Sequence, residues 1–177
     1  MICGPVSGLH LAHSDKGASI HTSGSSTLHT RRQARIYALQ ALYELDTTKH
    51  TAADAIAHRL EDASLPPEGE MFLRQLVSGV VVNRDRLDAL IQQYAPAWPV
   101  SQIAVIDRNV LRLALIELST IPDTPPKVAI NEAVDLAKLF GSDSSSRFVN
   151  GVLGAAMNAG GPIELPRIAE AVGPERD

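Results

Sequence analysis

Across the middle of this chain, from Ala34 to Met157, apolar residues recur at intervals of three and four, and clusters of proline cut the pattern into segments. That period matches one face of an α-helix and no strand, whose side chains alternate. Ala34, Ala38, Ala41, Leu42 and Leu45 form a first stripe. A second helix is expected from Thr51, whose hydroxyl can cap it while Asp54 answers three residues on; Ala55, Ile56 and Leu60 supply its apolar side. Pro66 and Pro67 are read as ending that element. Leu73, Leu76, Val77, Val80, Leu87, Leu90, Ile91 and Tyr94 read as helix despite the run Val80 to Val82, with Gly79 and Asn83 as points of bending or interruption.

Beyond Pro96, Trp98 and Pro99, Ser101 is the expected N-cap of a helix with Ile103, Ile106, Val110, Leu113 and Ala114 on one face and Leu111, Leu115 and Leu118 on another. A helix apolar on two faces belongs at the centre. Pro122, Pro125 and Pro126 lead into Val128 through Phe140, closed by Gly141 at the C′ position. Ser142, Asp143 and Ser144 then offer caps to a last helix through Met157. The expectation is an all-α fold of six or seven helices.

Residues 1–29 are rich in Ser, Gly, Thr and His without a sustained apolar period, and are read as a disordered N-terminal extension. Its histidines, His10, His13, His21 and His29, are not spaced as a ligand set, so no metal site is assigned there. Residues 160–177 read as a flexible C-terminal tail, leaving 30–159 as one folded unit. Cys3 is the only cysteine, which excludes internal disulfides and thiolate zinc clusters. Neither a membrane span nor a secretory h-region is evident, so a cytoplasmic location is expected.

Net charge is −4 and the pI about 5.8, against the basic balance common in nucleic-acid-binding domains. Charge placement says more. Arg31 to Tyr43 carries three arginines and no acid, whereas Asp54, Glu61, Asp62, Glu68 and Glu70 crowd a segment whose only base is Arg59.

The catalytic inventory is poor. His50 and His58 stand at i and i+8 with no fitting partner apparent in the sequence; Asp85 with Asp88, and Glu132 with Asp135, are carboxylate pairs of a kind common on solvated helix faces. No phosphate-binding glycine loop is present, and neither a catalytic residue nor a cofactor or metal ligand is assigned. Glu117 falls in register with the apolar stripe of the central helix, and its carboxylate is expected to accept from the free amides near Val128 to Ile130.

Two surfaces are candidates for nucleic acid. Arg31 and Arg35 share one side of the first helix with Arg32 alongside, and Gln40 and Tyr43 extend it with a hydrogen-bonding and a stacking group. The alternative is that these arginines only make the first turn soluble. In Ser142 to Gly151, a helix start with hydroxyls and Arg147 suits an anion, while Phe148 could stack on a base and Asn150 read an edge. The alternative there is a capped helix with Phe148 in the core and Gly151 and Gly154 packed closely.

Residues 31–43 (RRQARIYALQALY), 110–118 (VLRLALIEL), 127–141 (KVAINEAVDLAKLFG) and 147–153 (RFVNGVL) closely resemble, in that order, the NusB family of bacterial transcription antitermination factors. With Phe72 to Asn83, the likeness covers nearly all of residues 30–158. The resemblance implies two packed helical bundles and no catalysis. It further implies binding of single-stranded boxA RNA from ribosomal-RNA leaders, jointly with the ribosomal protein NusE, in a complex that makes RNA polymerase resist termination. Carried over by position, Arg31, Arg32, Arg35, Tyr43, Tyr94, Arg147, Phe148 and Asn150 fall on or near the RNA-facing surface, which Gln40 joins by its place on the first helix, and Ser101 and Asp107 in the region facing NusE. A monomer or weak homodimer is expected. Gln33, and Ser144 to Ser146, replace more charged residues of the family, which implies a weaker phosphate grip. Two other readings stay open: an accessory unit of a ribosomal-RNA methyltransferase, and a scaffold that binds protein only.

Overall fold

The computed structural model describes residues 23–62, 64–159 and 165. It contains helices α1 (Ser23–Thr47), α2 (Ala52–Asp62), α3 (Pro67–Val82), α4 (Arg84–Tyr94), α5 (Val105–Thr120), α6 (Pro126–Phe140) and α7 (Ser145–Asn158), with a single 3-10 turn at Val100–Gln102 and no strand among the described residues. Helix α1 therefore starts earlier than the sequence suggested, and residues 23–29, assigned to the extension, are helical. The remainder of that assignment, and most of the C-terminal tail, lie outside the described residues.

Local chemistry sets the element ends. Thr47 and Thr48 brace the end of α1 by donating their hydroxyls to the carbonyls of Tyr43 and Glu44, both at 2.8 Å, and the Glu44 carbonyl also accepts from the Thr48 amide at 2.9 Å. Thr51 and Asp54 form the expected capping box at the start of α2: the Thr51 amide donates to Asp54 Oδ2 at 3.1 Å, and the Asp54 amide to Thr51 Oγ1 at 3.2 Å. Pro67 begins α3 rather than ending α2, since the first helical position needs no amide donor. The long stripe from Leu73 to Tyr94 is two helices. Asn83 breaks it, its Nδ2 donating to the Gly79 carbonyl at 2.9 Å.

Three further expectations are corrected. Ser101 sits in the 3-10 turn, and the residue flanking the start of α5 is Ala104, which has no side-chain cap. Gly141 does follow α6, but in extended conformation rather than a left-handed one; a Cβ there would lie 2.7 Å from the Ala137 carbonyl oxygen, so crowding is what favours glycine. At the start of α7 neither Ser142, Asp143 nor Ser144 provides a capping side chain; Ser145 does the related work, its Oγ accepting from the Ser142 amide at 2.8 Å.

Helices α1, α2 and α3 pack on one another, as do α4 to α7, and α5 contacts both groups. The two bundles share one hydrophobic core, with Leu73, Leu76, Leu87, Ile91, Leu111, Leu115, Ile116 and Leu153 among its fully enclosed side chains. Every residue of α5 from Asn109 to Glu117 is buried, as its two apolar faces require. Three of these are polar, and each is tied to α1. Glu117 pairs with Arg35, while Asn109 and Arg112 reach Asp46 at 3.1 Å each.

Candidate nucleic-acid interface

The arginines of α1 meet different fates. Arg35 is buried, its Nε donating to Glu117 Oε2 at 2.9 Å and its Nη2 to Oε1 at 2.5 Å, with Glu132 at 3.6 Å from Nη1. A fork closed on a buried carboxylate has no edge left for a phosphate. Arg35 is thus a structural tie, and Glu117 finds its donors there rather than in the amides of Val128 to Ile130. Arg31 is half-buried, donates to Thr124 Oγ1 at 3.1 Å and lies 5.1 Å from the centre of the Phe72 ring, with Arg35 at 5.2 Å. Arg32 is exposed, and its ion pairs to Asp135 and Glu132 are long, 3.5 and 3.6 Å. Such surface pairs are weak, so a phosphate can displace them.

Further along α1, Gln40 and Tyr43 line a groove of about 470 Å³ with Leu39, Ile106, Phe140 and Arg59. Tyr43 is 46% exposed there, so its ring is available for stacking. A second groove, also about 470 Å³, is lined by Trp98, Ile103, Asp107, Ser144, Arg147 and Phe148. Asp107 is buried, and its Oδ1 has no hydrogen-bond partner among the described residues. An unmet acceptor beside an open groove suits an incoming donor. The structure therefore joins Asp107, a candidate for partner contact, to Arg147 and Phe148, candidates for RNA.

Other candidates stand apart. Asn150 is exposed on α7, Ser101 is exposed on the 3-10 turn, and Tyr94 is half-buried against the core. Phe148 packs on the core, the alternative weighed for it, and also lines the groove. Gly151 and Gly154 are not close-packed, because a Cβ at either would meet nothing within 4 Å. Trp98 is 57% exposed at the second groove, a role that the flanking Pro96 and Pro99 hide in the sequence, where the three together mark only a loop.

Three of the four paired carboxylates face arginines. Asp88 accepts from Arg112 Nε and Nη2 at 2.7 and 2.8 Å, and Glu132 and Asp135 face Arg32. Asp46 is surrounded by cations, its ion pairs running to Arg84, Arg108 and Arg112. Burial raises its pKa, but the charges of Arg84 and Arg112 and the hydrogen bonds of Asn109 and Arg108 outweigh this and hold it below the usual aspartate value. His50 and His58, which looked unpartnered, converge on Glu44.

Seven helices on a common core, among the described residues, define an all-helical bundle protein. The profile of the NusB family matches residues 32–158. A transcription antitermination protein NusB of Roseiflexus sp. (strain RS-1) is 52% identical over 130 residues, 72% of this chain and 92% of that protein. The protein of the same description from Bacillus subtilis (strain 168) is 43% identical over 70% of this chain and 91% of its own length. Among solved structures, T. maritima NusB aligns with a TM-score of 0.66 at 32% identity, covering 70% of this chain and 87% of that one. A chain of the antitermination factors NusB and NusE in complex with dsRNA aligns with a TM-score of 0.68 at 25% identity, covering 74% and 98%. The chain belongs to the NusB family. No helix among the described residues is long and apolar enough to cross a membrane.

Proposed function

We propose that this chain acts as a transcription antitermination factor that binds boxA RNA of ribosomal-RNA leaders together with the ribosomal protein NusE, without catalysing a reaction. It works in the cytoplasm, where the transcript emerges from RNA polymerase, as a monomer or weak homodimer. The observation that carries this reading is the alignment over 98% of a chain from a complex of NusB and NusE with dsRNA. Exposed Arg32 and Arg147 supply phosphate contacts, with Arg31 able to join them by releasing Thr124. Tyr43 and Phe148 offer faces for stacking on single-stranded RNA, Gln40 a polar edge beside Tyr43, and Asn150 and Tyr94 polar groups outside the two grooves. Asp107 and Ser101 present the polar rim that NusE would meet, where the free Oδ1 accepts from a partner donor. Arg35 acts only by holding α1 on α5.

A protein-only scaffold is the second reading. It is favoured by the way the basic front is answered from within, Arg35 by Glu117 and Arg32 by Glu132 and Asp135.

Fluorescence anisotropy of labelled boxA-type RNA against a scrambled control, with and without the cognate NusE at stated salt, separates the two. The adaptor reading expects preference for boxA that tightens with NusE, and a salt slope reduced by about one for each of Arg32→Ala and Arg147→Ala. Equal binding of both RNAs under every condition supports the scaffold.

A further inference from the structure

The corner between α1 and α2 brings together three residues to which no RNA or partner contact is assigned, one of them, Glu44, on the wall of the groove that Gln40 and Tyr43 line. Glu44 lies near the end of α1, His50 in the link to α2, and His58 on α2. The Nδ1 atoms of His50 and His58 stand 2.6 and 2.8 Å from the same carboxylate oxygen, Glu44 Oε1. The rings meet edge to face, 76° apart with centroids 5.3 Å from each other. The potential donor atoms of all three residues lie within 4.8 Å of one another.

We propose that Glu44, His50 and His58 form a binding site for a divalent transition-metal ion, Zn²⁺ fitting best. Two imidazole nitrogens and one carboxylate oxygen are a ligand set that borderline metals select, and water completes the tetrahedron. In the metal-free site each Nδ1–H donates to Glu44 Oε1; on metal binding the proton of each ring moves to Nε2, and both Nδ1 lone pairs and Glu44 Oε1 then face one point. Bonds of about 2.0–2.2 Å need the ligand atoms about 3.3–3.5 Å apart, so each ring has to swing back by less than about 1 Å. The imidazoles have room for this, because the two side chains are 49% and 43% exposed.

The carboxylate is prepared for the ion. The Glu44 side chain is only 14% exposed, and Arg59 holds its other oxygen at 3.6 Å. The link carrying His50 is braced as well, its amide donating to Thr48 Oγ1 at 3.2 Å while that hydroxyl donates to the Glu44 carbonyl. Metal binding would clamp α2 to α1 beside the groove that Tyr43 and Arg59 line.

Isothermal titration of Zn²⁺ into the full chain tests this, with Mg²⁺ as control and the variants His58→Asn, His50→Asn and Glu44→Gln alongside. A fourth variant with asparagine at His10, His13, His21 and His29 removes the competing N-terminal imidazoles. The expected result is one equivalent of Zn²⁺ retained by the fourth variant, at least about tenfold weaker in each of the other three, with Mg²⁺ silent. Circular dichroism shows that each variant is folded, and the Nδ1 resonances of His50 and His58 shift on Zn²⁺ addition in the fourth variant. Undiminished affinity in His58→Asn and Glu44→Gln, or no binding by the fourth variant, overturns the proposal.

Discussion

Arg35 and Glu117 show how a single residue's role depends on what it meets. A bidentate pair inside the core is stable only while both charges remain. Glu117→Gln leaves the buried Arg35 cation only the longer contact to Glu132 at 3.6 Å, and urea denaturation should show a loss of up to about 3–5 kcal/mol. The double replacement Arg35→Met with Glu117→Leu removes both charges and should recover most of that loss. RNA binding that survives the double replacement would agree with Arg35 having no phosphate to hold; its disappearance in a stable double variant would return Arg35 to the interface. Sequence spacing put Arg35 on the same side as Arg31, which is correct along α1. It could not say that this side turns toward α5, because the partner is 82 residues away.

At the scale of elements, glycines sort by what stands opposite them. On α3, a Cβ at Gly79 would lie 2.8 Å from Ile116 Cγ1, so the helix approaches α5 as closely as it does only without a side chain there. Gly79→Ala should destabilise by about 1–3 kcal/mol through overpacking. Gly154 on α7 faces open space, and Gly154→Ala should instead stabilise by about 0.5–1 kcal/mol, because alanine restricts the unfolded chain. Paired thermal melts of the two variants decide this, and melts that move in the same direction would contradict the packing described. The elements themselves were largely legible. The helical period, the Thr51–Asp54 cap and the break at Asn83 are local, so they can be read in a few residues. Which side of Pro66 and Pro67 the helix lies on was misread, since proline serves as both terminator and first residue.

For the whole molecule, the ionic network around Asp46 links acid stability to architecture. Asp46 on α1 pairs with Arg84 of α4 and with Arg108 and Arg112 of α5, and Arg112 also grips Asp88 of α4. The folded state holds the Asp46 pKa below 3.8, so on acidification the unfolded chain takes up the proton first. The contribution is complete above that value and fades as pH falls through the lower folded value. Asp46→Asn should therefore lower stability at pH 7, with the difference from the parent shrinking below about pH 3.8. A difference that stays constant from pH 7 to pH 2 would show that the network contributes no charge-dependent stability.

The sequence by itself determined the helices, their approximate limits, the centrality of α5 and the family, because period, caps and matching blocks are properties of neighbouring residues. Only the tertiary structure decided which charges face each other. It turned Arg35 inward, joined Asp107 to Arg147 in one groove and drew His50 and His58 onto Glu44. Contacts of this kind depend on how helices cross, and an electrostatic partner is selected by distance in space rather than by distance along the chain.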